Sequence, residues 1–218
     1  LFSDIMTPAE GMGVKLDFAP GPVIETPIRS ADQVDALRIP DPEEGVPFVL
    51  EAVRLLSEAL PASAPLIGFA GAPFTIFCYL VQGGGSKTFS EAKAFLFAEP
   101  EASHKLLEKL ADTMVRYLEA QAAAGAEALM IFDSWAGLIP NQLLGKYCYE
   151  PNLKLVNFCK ENKIPVICFP RGIKDNYMKF CQTIKPDGIN IDYNVDPEWI
   201  KKNINGTCVQ GGMDPKIL

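Results

Sequence analysis

Short apolar runs recur along the chain, and each is followed by a stretch with helical periodicity. The runs are near-continuous rather than alternating, which is typical of strands buried on both faces of a parallel sheet. They predict five strands, at 65–71, 126–134, 164–172, 188–194 and 207–214, and residues 1–4 have the pattern of the tail of a sixth. Because strands and helices alternate, the pattern predicts right-handed βαβ units.

Spacings of three to four residues between apolar positions predict the helices. An aromatic helical stretch runs from Pro73 to Gly83, and Gly125 has the position of a C-terminal cap for the longest helix. This longest helix is predicted at 101–124. The other predicted helices cover 46–60, 151–161, 173–183 and 197–203. Residues 6–40 are rich in proline and glycine and predict a long loop with room for a hairpin.

Five or six such units fit an incomplete (β/α)8 barrel of the TIM type, with about six of its eight strands present. An open doubly wound sheet is the alternative, and periodicity alone does not separate the two. No repeat or linker divides the chain, so one domain over 1–218 is expected. The chain begins at Leu1 and stops at Leu218 without a terminating pattern, which favours a barrel domain truncated at both ends.

Composition narrows the classes of function. The apolar share of 48% and the charged share of 22% are ordinary for a globular protein. A net charge of −7 disfavours binding to nucleic acid or to an anionic membrane, since few counterions would be released. No run reaches the roughly 18 apolar residues of a membrane span, and no signal peptide opens the chain. We therefore expect a cytoplasmic protein.

The cysteines and the single histidine argue against metal and disulfide chemistry. The six cysteines form no CxxC pair and stand mostly in apolar runs, so we expect reduced, buried thiols rather than disulfides. His104 lies in a polar helix start and is expected at the surface. One histidine cannot build a multi-histidine metal site, and no His-based triad with Ser134 is indicated.

Three strand ends carry polar residues with candidate chemistry. Asp4, in LFSDIM, is either a loop or N-cap residue or a poorly hydrated carboxylate that accepts N–H groups and stabilises a cation. Tyr79, after GFAGAPF, is either a core aromatic or a residue of a cleft. Asp133 and Ser134, in FDSWAG, have the pattern of caps for the next helix. The GGGSK stretch at 83–87 lacks the order of a phosphate-binding loop, and a loop over the cleft is the better interpretation.

These segments resemble the uroporphyrinogen decarboxylases, in order and over the whole chain, and the later strand ends PRG, DY and QGGMDP extend the resemblance. It implies a lyase of porphyrin and heme biosynthesis that removes CO2 from the four acetate arms of uroporphyrinogen III and yields coproporphyrinogen III, without a cofactor or metal. It also implies that Asp4 is catalytic and receives the pyrrole N–H groups of this tetrapyrrole substrate. Tyr79 would contact a substrate side chain, Ser134 would bond a carboxylate, and Phe69 would line the cleft wall.

The sequence also departs from the family pattern. Phe74 stands where tryptophan is common, Gly212 and Met213 alter a Q-G-N-L-D-P motif, and Arg171 stands where lysine is frequent. The family's R-Q-A-G-R-Y motif and its last strand, with a histidine, do not occur in 1–218. We therefore expect this chain to be inactive alone. The resemblance also implies that the full-length protein is a homodimer. Two alternatives remain open. One is a zinc- or corrinoid-dependent methyltransferase of the same superfamily, although the His-x-Cys pair of those enzymes is missing. The other is an inactive fragment.

Overall fold

The computed structural model describes residues 3–19, 21–214 and 216–217. Among these residues the strands are β1 (Leu16–Phe18), β2 (Pro22–Ile24), β3 (Ile67–Gly71), β4 (Ala128–Asp133), β5 (Val166–Pro170), β6 (Gly188–Ile191) and β7 (Cys208–Gly211). The α-helices are α1 (Thr7–Gly11), α2 (Ala31–Ala36), α3 (Pro42–Gly45), α4 (Pro47–Ala59), α5 (Pro73–Gln82), α6 (Ser90–Ala98), α7 (Pro100–Ala123), α8 (Glu150–Glu161), α9 (Tyr177–Ile184) and α10 (Pro197–Asn203). None of these helices is long and apolar enough to cross a bilayer.

The main sheet consists of five parallel strands in the order β3-β4-β5-β6-β7. Spatial order equals chain order, and each strand is joined to the next through at least one helix. A doubly wound sheet would instead reverse its strand order at a switch point. The fold is therefore α/β of the incomplete (β/α)8 type, as the sequence predicts, and the described strands do not close into a ring.

The two faces of the sheet differ in burial. Along β4, Leu129, Ile131 and Asp133 are buried, whereas Met130 and Phe132 are only half-buried. The half-buried face of β4 also carries apolar side chains, which is why the sequence of this strand is almost continuously hydrophobic. The expectation that both faces are buried is wrong, because five strands that do not close leave the side chains of this open face without an opposite wall.

A side-chain amide pairs with the edge of the sheet at β3. The Phe69 N–H donates to Oε1 of Gln121 over 3.0 Å, and Gln121 Nε2 donates to the Phe69 carbonyl over 2.9 Å. Gln121 belongs to α7 and is 2% exposed. A Cβ on Gly68 would lie 2.9 Å from this amide oxygen, so glycine lets α7 approach the strand. The contact fixes the position of Phe69 and protects an otherwise unpaired edge.

The segment before β3 is more regular than the sequence predicts. The hairpin in 6–40 is confirmed, because β1 and β2 pair antiparallel. However, α1 and α2 also form there. Pro8 in the first turn of α1 is pre-organised for a helix, and Ser30 caps α2 by accepting the N–H of Gln33 over 3.3 Å. The predicted sixth strand falls partly on residues 1–2, outside the described residues, and Ser3 and Asp4 are not in a strand.

The thiols largely follow the prediction. All six cysteines are free, and five are buried, but Cys208 is exposed because β7 has no helix over it among the described residues. The buried hydrophobic residues form one cluster. This core lies between the sheet and the helices, and the carboxyl ends of the strands lie at its rim.

Candidate active site

Asp4 lies beside the carboxyl end of β3. Its neighbour Ile5 contacts this end, since a Cβ on Gly71 would be 3.1 Å from Ile5 Cβ. One oxygen of the Asp4 carboxylate accepts the N–H of Met6 over 2.8 Å, and the Asp4 carbonyl accepts the Thr7 hydroxyl over 3.0 Å. The residue is half-buried. Asp4 therefore lies in the turn just before α1, and Met6 rather than Asp4 is the N-cap of this helix. The turn lies beside the carboxyl end of β3.

Tyr79 belongs to a group of three aromatic rings. Its ring centroid lies 5.6 Å from that of Phe89 and 6.3 Å from that of Trp135, and the Phe89 and Trp135 centroids are 4.7 Å apart. Tyr79 projects from α5, whereas Trp135 belongs to the loop after β4. Tyr79 is thus next to the loop that carries Ser134. Trp135 Nε1 is buried and has no hydrogen-bond partner among the described residues.

Ser134 and Phe69 complete the set of predicted residues. Ser134 directly follows β4, is half-buried, and donates no side-chain hydrogen bond to another described residue. Phe69 lies two residues before the end of β3, on the open face, where its ring meets that of Phe132 edge-on at 5.9 Å. The Phe132 ring in turn meets Phe169 at 6.4 Å. The fold thus brings Asp4, Tyr79 and Ser134 to the β3–β4 rim, with Phe69 below it, and their roles stay predictions.

Asp133 is a buried carboxylate that sequence reasoning treats only as a cap. It is 1% exposed and accepts hydrogen bonds from the Thr75 hydroxyl over 2.8 Å and from Asn152 Nδ2 over 3.0 Å. Burial raises the pKa of Asp133 to about 6, although hydrogen bonds from Thr75, Asn152 and Cys148 oppose the shift. The sequence pattern indicates that Asp133 is buried, because side chains alternate along a strand and Asp133 falls on the same face of β4 as Leu129.

A second carboxylate stands at the end of β6. Oδ2 of Asp192 accepts the Gly172 N–H over 2.7 Å and the Tyr177 hydroxyl over 2.9 Å, and Oδ1 lies 4.0 Å from Nε of Arg171. Burial, followed by the charge of Asp192, raises the pKa of Tyr177. Arg171 and Trp199 line a cleft of about 630 Å³ over this end of the sheet. Asp192 thus bonds the backbone of the loop after β5 and the hydroxyl of Tyr177, and it faces one cation.

The loops after β4 and β5 are joined by backbone contacts. The Arg171 N–H donates to the Asp133 carbonyl over 3.1 Å, and the Gly137 N–H donates to the Arg171 carbonyl over 2.9 Å. A Cβ on Gly137 would lie 2.8 Å from the carbonyl oxygen of Gly172. Gly172 itself has φ +82°, a conformation that side chains disfavour. Only glycine at these positions lets the two loops approach so closely.

The model of the family "Uroporphyrinogen decarboxylase (URO-D)" matches residues 1–218. The chain belongs to the uroporphyrinogen decarboxylase family. Three similar proteins, each named uroporphyrinogen decarboxylase, come from Geobacter sp. (strain M21), Trichlorobacter lovleyi and Geobacter sulfurreducens, with identities of 42%, 42% and 41%. Each comparison covers 100% of this chain, and the chain spans 64% of the length of these relatives.

Family membership confirms the resemblance drawn from the motifs, including FDSWAG and the strand end before Pro73. It does not by itself test which side chains contact a substrate. The prediction of a surface histidine is confirmed, since the His104 side chain is 47% exposed and lies 3.4 Å from Glu108. No group of three or more His, Cys, Asp or Glu side chains suited to a metal ion occurs within the described part of the chain.

The glycine-rich stretch after α5 is held by the hairpin. Gly83 ends the helix in the left-handed conformation, with φ +93°, and its carbonyl accepts the Ile24 N–H over 3.0 Å. Gly84 forms a bridge with Val23 of β2. Ser86 Oγ accepts the N–H of Phe89 over 3.0 Å. In place of a free loop over the cleft, the segment is a structured turn that sets the position of Phe89 beside Tyr79.

Proposed function

We propose that the protein is a carboxy-lyase that removes the four acetate carboxylates of uroporphyrinogen III as CO2 and releases coproporphyrinogen III, in porphyrin and heme biosynthesis. The observation that carries the proposal is the family match over all of 1–218. Further support comes from three positions: Ser134 directly follows β4, Asp4 precedes Ile5, which contacts the carboxyl end of β3, and Tyr79 packs against Trp135 in the loop after β4. Active sites of (β/α)8 enzymes lie at this rim.

Decarboxylation of an acetate side chain requires an electron sink. Loss of CO2 from a pyrrole acetate leaves two electrons on the methylene carbon attached to the ring. A pyrrole that has been protonated at the adjacent ring carbon accepts this pair. Protonation of the methylene carbon then gives a methyl group, and loss of the proton from the ring carbon restores the pyrrole. The substrate thereby supplies its own electron sink, and the reaction as proposed uses no metal or organic cofactor.

Asp4 is suited to stabilise the cationic pyrrole. Its Oδ1 is held by the Met6 N–H, which fixes the carboxylate plane, and Oδ2 accepts no hydrogen bond from the described residues. Pyrrole N–H groups become more acidic as the ring gains positive charge, so their bonds to a fixed carboxylate strengthen in the transition state. Such preorganised charge acts most strongly where water is excluded.

The surroundings of Asp4 supply the remaining interactions. The rings of Phe69, Phe132 and Phe169 form an apolar surface on the open face, against which a macrocycle would be shielded from water. The hydroxyls of Tyr79 and Ser134 would donate to substrate carboxylates without adding charge. Such donors suit an anionic substrate on a chain whose net charge is −7.

Substitution of Asp4 by asparagine tests the proposal. Asp4→Asn keeps the shape and the acceptor for Met6 but removes the negative charge, and turnover should fall roughly 100- to 1000-fold, which corresponds to about 2.7–4 kcal/mol of barrier. The assay follows the stepwise loss of carboxylates by mass spectrometry. It uses the protein expressed with whatever coding sequence flanks 1–218, because the family's R-Q-A-G-R-Y motif does not occur in these residues.

Asp17→Asn is the matched control, because Asp17 also accepts a neighbouring backbone N–H, from Phe18, and is exposed. It should leave turnover unchanged. Normal turnover in Asp4→Asn would remove Asp4 from the mechanism. Activity that is abolished by a chelator and restored by zinc would instead favour the metal-dependent methyltransferases.

We further propose that the full-length protein is a homodimer and acts in the cytoplasm. The resemblance is the support for both statements. Sedimentation equilibrium at several concentrations would give twice the mass of the chain, and cell fractionation would find it in the cytosolic fraction. A monomer at all concentrations would contradict the first statement, and recovery with membranes would contradict the second.

A further inference from the structure

A buried chain of hydrogen bonds links two helices to the loop after β4. Asn152 in α8 donates to Asp133 at the end of β4, and Thr75 in the first turn of α5 donates to the same carboxylate. The Thr75 oxygen in turn accepts the backbone N–H of Trp135 over 3.2 Å. The three polar side chains are 0–1% exposed. Buried polar networks that are fully satisfied hold their members in one geometry.

This series of hydrogen bonds fixes the backbone on both sides of Ser134. On one side, the Asp133 carboxylate is held by Thr75 and Asn152, and its carbonyl accepts the Arg171 N–H. On the other side, the Trp135 N–H is held by Thr75. Ser134 itself is half-buried, and its hydroxyl makes no hydrogen bond to another described residue. The residue is thus anchored through the backbone of its neighbours, and its hydroxyl is not engaged by the described residues.

We propose that Asp133 and Thr75 are positioning residues that aim the Ser134 hydroxyl at a carboxylate of the substrate. The inference rests on the proposed function. Thr75 has one hydroxyl proton, and while Asp133 is ionised this proton goes to the carboxylate. The lone pairs of Thr75 are then free to accept the Trp135 N–H. The ionised Asp133 thus determines the orientation of the hydroxyl that holds the loop.

Protonation of Asp133 gives this arrangement a measurable signature. A protonated carboxyl donates to Thr75 instead of accepting from it, so Thr75 must turn and its bond to the Trp135 N–H changes. The titratable groups that face Asp133 are the thiols of Cys78 on α5, Cys148 in the turn before α8, and Cys168 on β5. Burial raises the pKa of all three thiols well above the usual range, so they stay neutral. The environment of Trp135 should therefore follow the ionisation of Asp133 alone.

The first experiment is a fluorescence titration of Trp135 from pH 4 to 8. Trp135 and Trp199 are the two tryptophans of the chain, so Trp199→Phe isolates the first. We expect a transition with a midpoint about 6. It should vanish in Asp133→Asn, lose most of its amplitude in Thr75→Val, and persist in Thr75→Ser, which keeps the hydroxyl. A transition that is unchanged in Asp133→Asn or in Thr75→Val would overturn the inference.

The second experiment is a double-mutant cycle on substrate affinity, made in the protein with its flanking coding sequence. Thr75→Val should raise KM roughly tenfold, most of what a hydrogen bond to a charged group contributes, with a smaller effect on kcat. Thr75→Ser should restore most of the affinity. In a Ser134→Ala background, Thr75→Val should raise KM no further, because it acts through the missing hydroxyl.

The outcomes separate this inference from the proposed function. Additive effects of Thr75→Val and Ser134→Ala would show that Thr75 acts independently, and would overturn the positioning role. An unchanged KM in Ser134→Ala would overturn it as well. Neither result bears on decarboxylation itself, which is tested by Asp4→Asn.

Discussion

The two aspartates at the ends of β4 and β6 are held in contrasting ways. Asp133 is 1% exposed and accepts hydrogen bonds from side chains only, those of Thr75 and Asn152 on helices and that of Cys148. The Asp192 side chain is 14% exposed, takes one bond from the backbone of Gly172 and one from Tyr177, and has Arg171 within 4.0 Å. The first carboxylate joins secondary-structure elements through the core. The second joins neighbouring loops at the surface.

The contrast shows how burial changes the meaning of the same residue type. A carboxylate without a cation in the core stays ionised only at a cost in desolvation, which is why its pKa rises. A carboxylate that keeps some hydration and faces an arginine avoids much of this cost. Asp133 should therefore matter more for stability and respond to pH, whereas Asp192 should be the more tolerant site.

The largest difference is expected for truncation to alanine. Asp133→Ala leaves the Thr75 hydroxyl and one of the two N–H groups of the Asn152 amide buried without an acceptor, because the other N–H donates to the Cys148 carbonyl. The free energy of unfolding should fall by about 2–4 kcal/mol. Asp192→Ala leaves the buried Tyr177 hydroxyl and the half-buried Gly172 N–H, but the Asp192 side chain is itself partly exposed, so the loss should be smaller, about 1–2 kcal/mol. Urea unfolding of both variants at one pH would measure the difference. Equal losses would show that the buried network is no more costly to break than the exposed one.

The pH dependence should single out Asp133. Its pKa is raised from 3.8 in the unfolded chain to about 6 in the fold. Between these values the folded protein holds a proton that the unfolded chain has released, so this group makes stability fall as pH rises from about 4 to 6. The loss is about 3 kcal/mol, from two pKa units. In Asp133→Asn this part of the slope should be absent, so the mutation should be more destabilising at pH 4.5 than at pH 7.5. A difference independent of pH would contradict the buried, titrating carboxylate.

The smallest effect is expected at the arginine. Arg171→Gln removes a contact to Asp192 that is 4.0 Å long, and the Arg171 side chain is 56% exposed. Solvent screens such a pair, so the free energy of unfolding should change by less than about 1 kcal/mol and should depend little on salt. A larger loss in chemical unfolding would mean that Asp192 depends on its cation, and would remove the contrast with Asp133.

Local patterns predict much of this fold but not the contacts between distant segments. The apolar runs place β3 to β7 to within a few residues, because each strand carries its own signal. The pairing of Gln121 with the backbone of Phe69 has no such signal, since a polar residue late in a long helix looks like a solvent-facing one. Asp133 shows a third case. Its phase with Leu129 predicts burial, but its donors come from Thr75 and Asn152, which are 58 and 19 residues away.

The candidate site divides in the same way. The motif FDSWAG is enough to place Ser134 at the carboxyl end of β4, because it directly follows an apolar run. The position of Asp4 beside β3 has no such basis, since Asp4 is not in a strand. The aromatic contact of Tyr79 with Trp135 depends on the packing of α5 against the next loop, which no spacing encodes. Helix α1 is likewise hidden in a segment whose prolines and glycines suggest a loop, although Pro8 at its start is a helix signal.

The close approach of Gly137 to Gly172 limits how this rim can vary among related sequences. Since any side chain at 137 would meet the backbone of the neighbouring loop, a larger residue there requires that loop to be rebuilt as well. The sequences of the two loops therefore have to change together. A recombinant that takes the first from one relative and the second from another will work only if both parents bring the same pair of glycines.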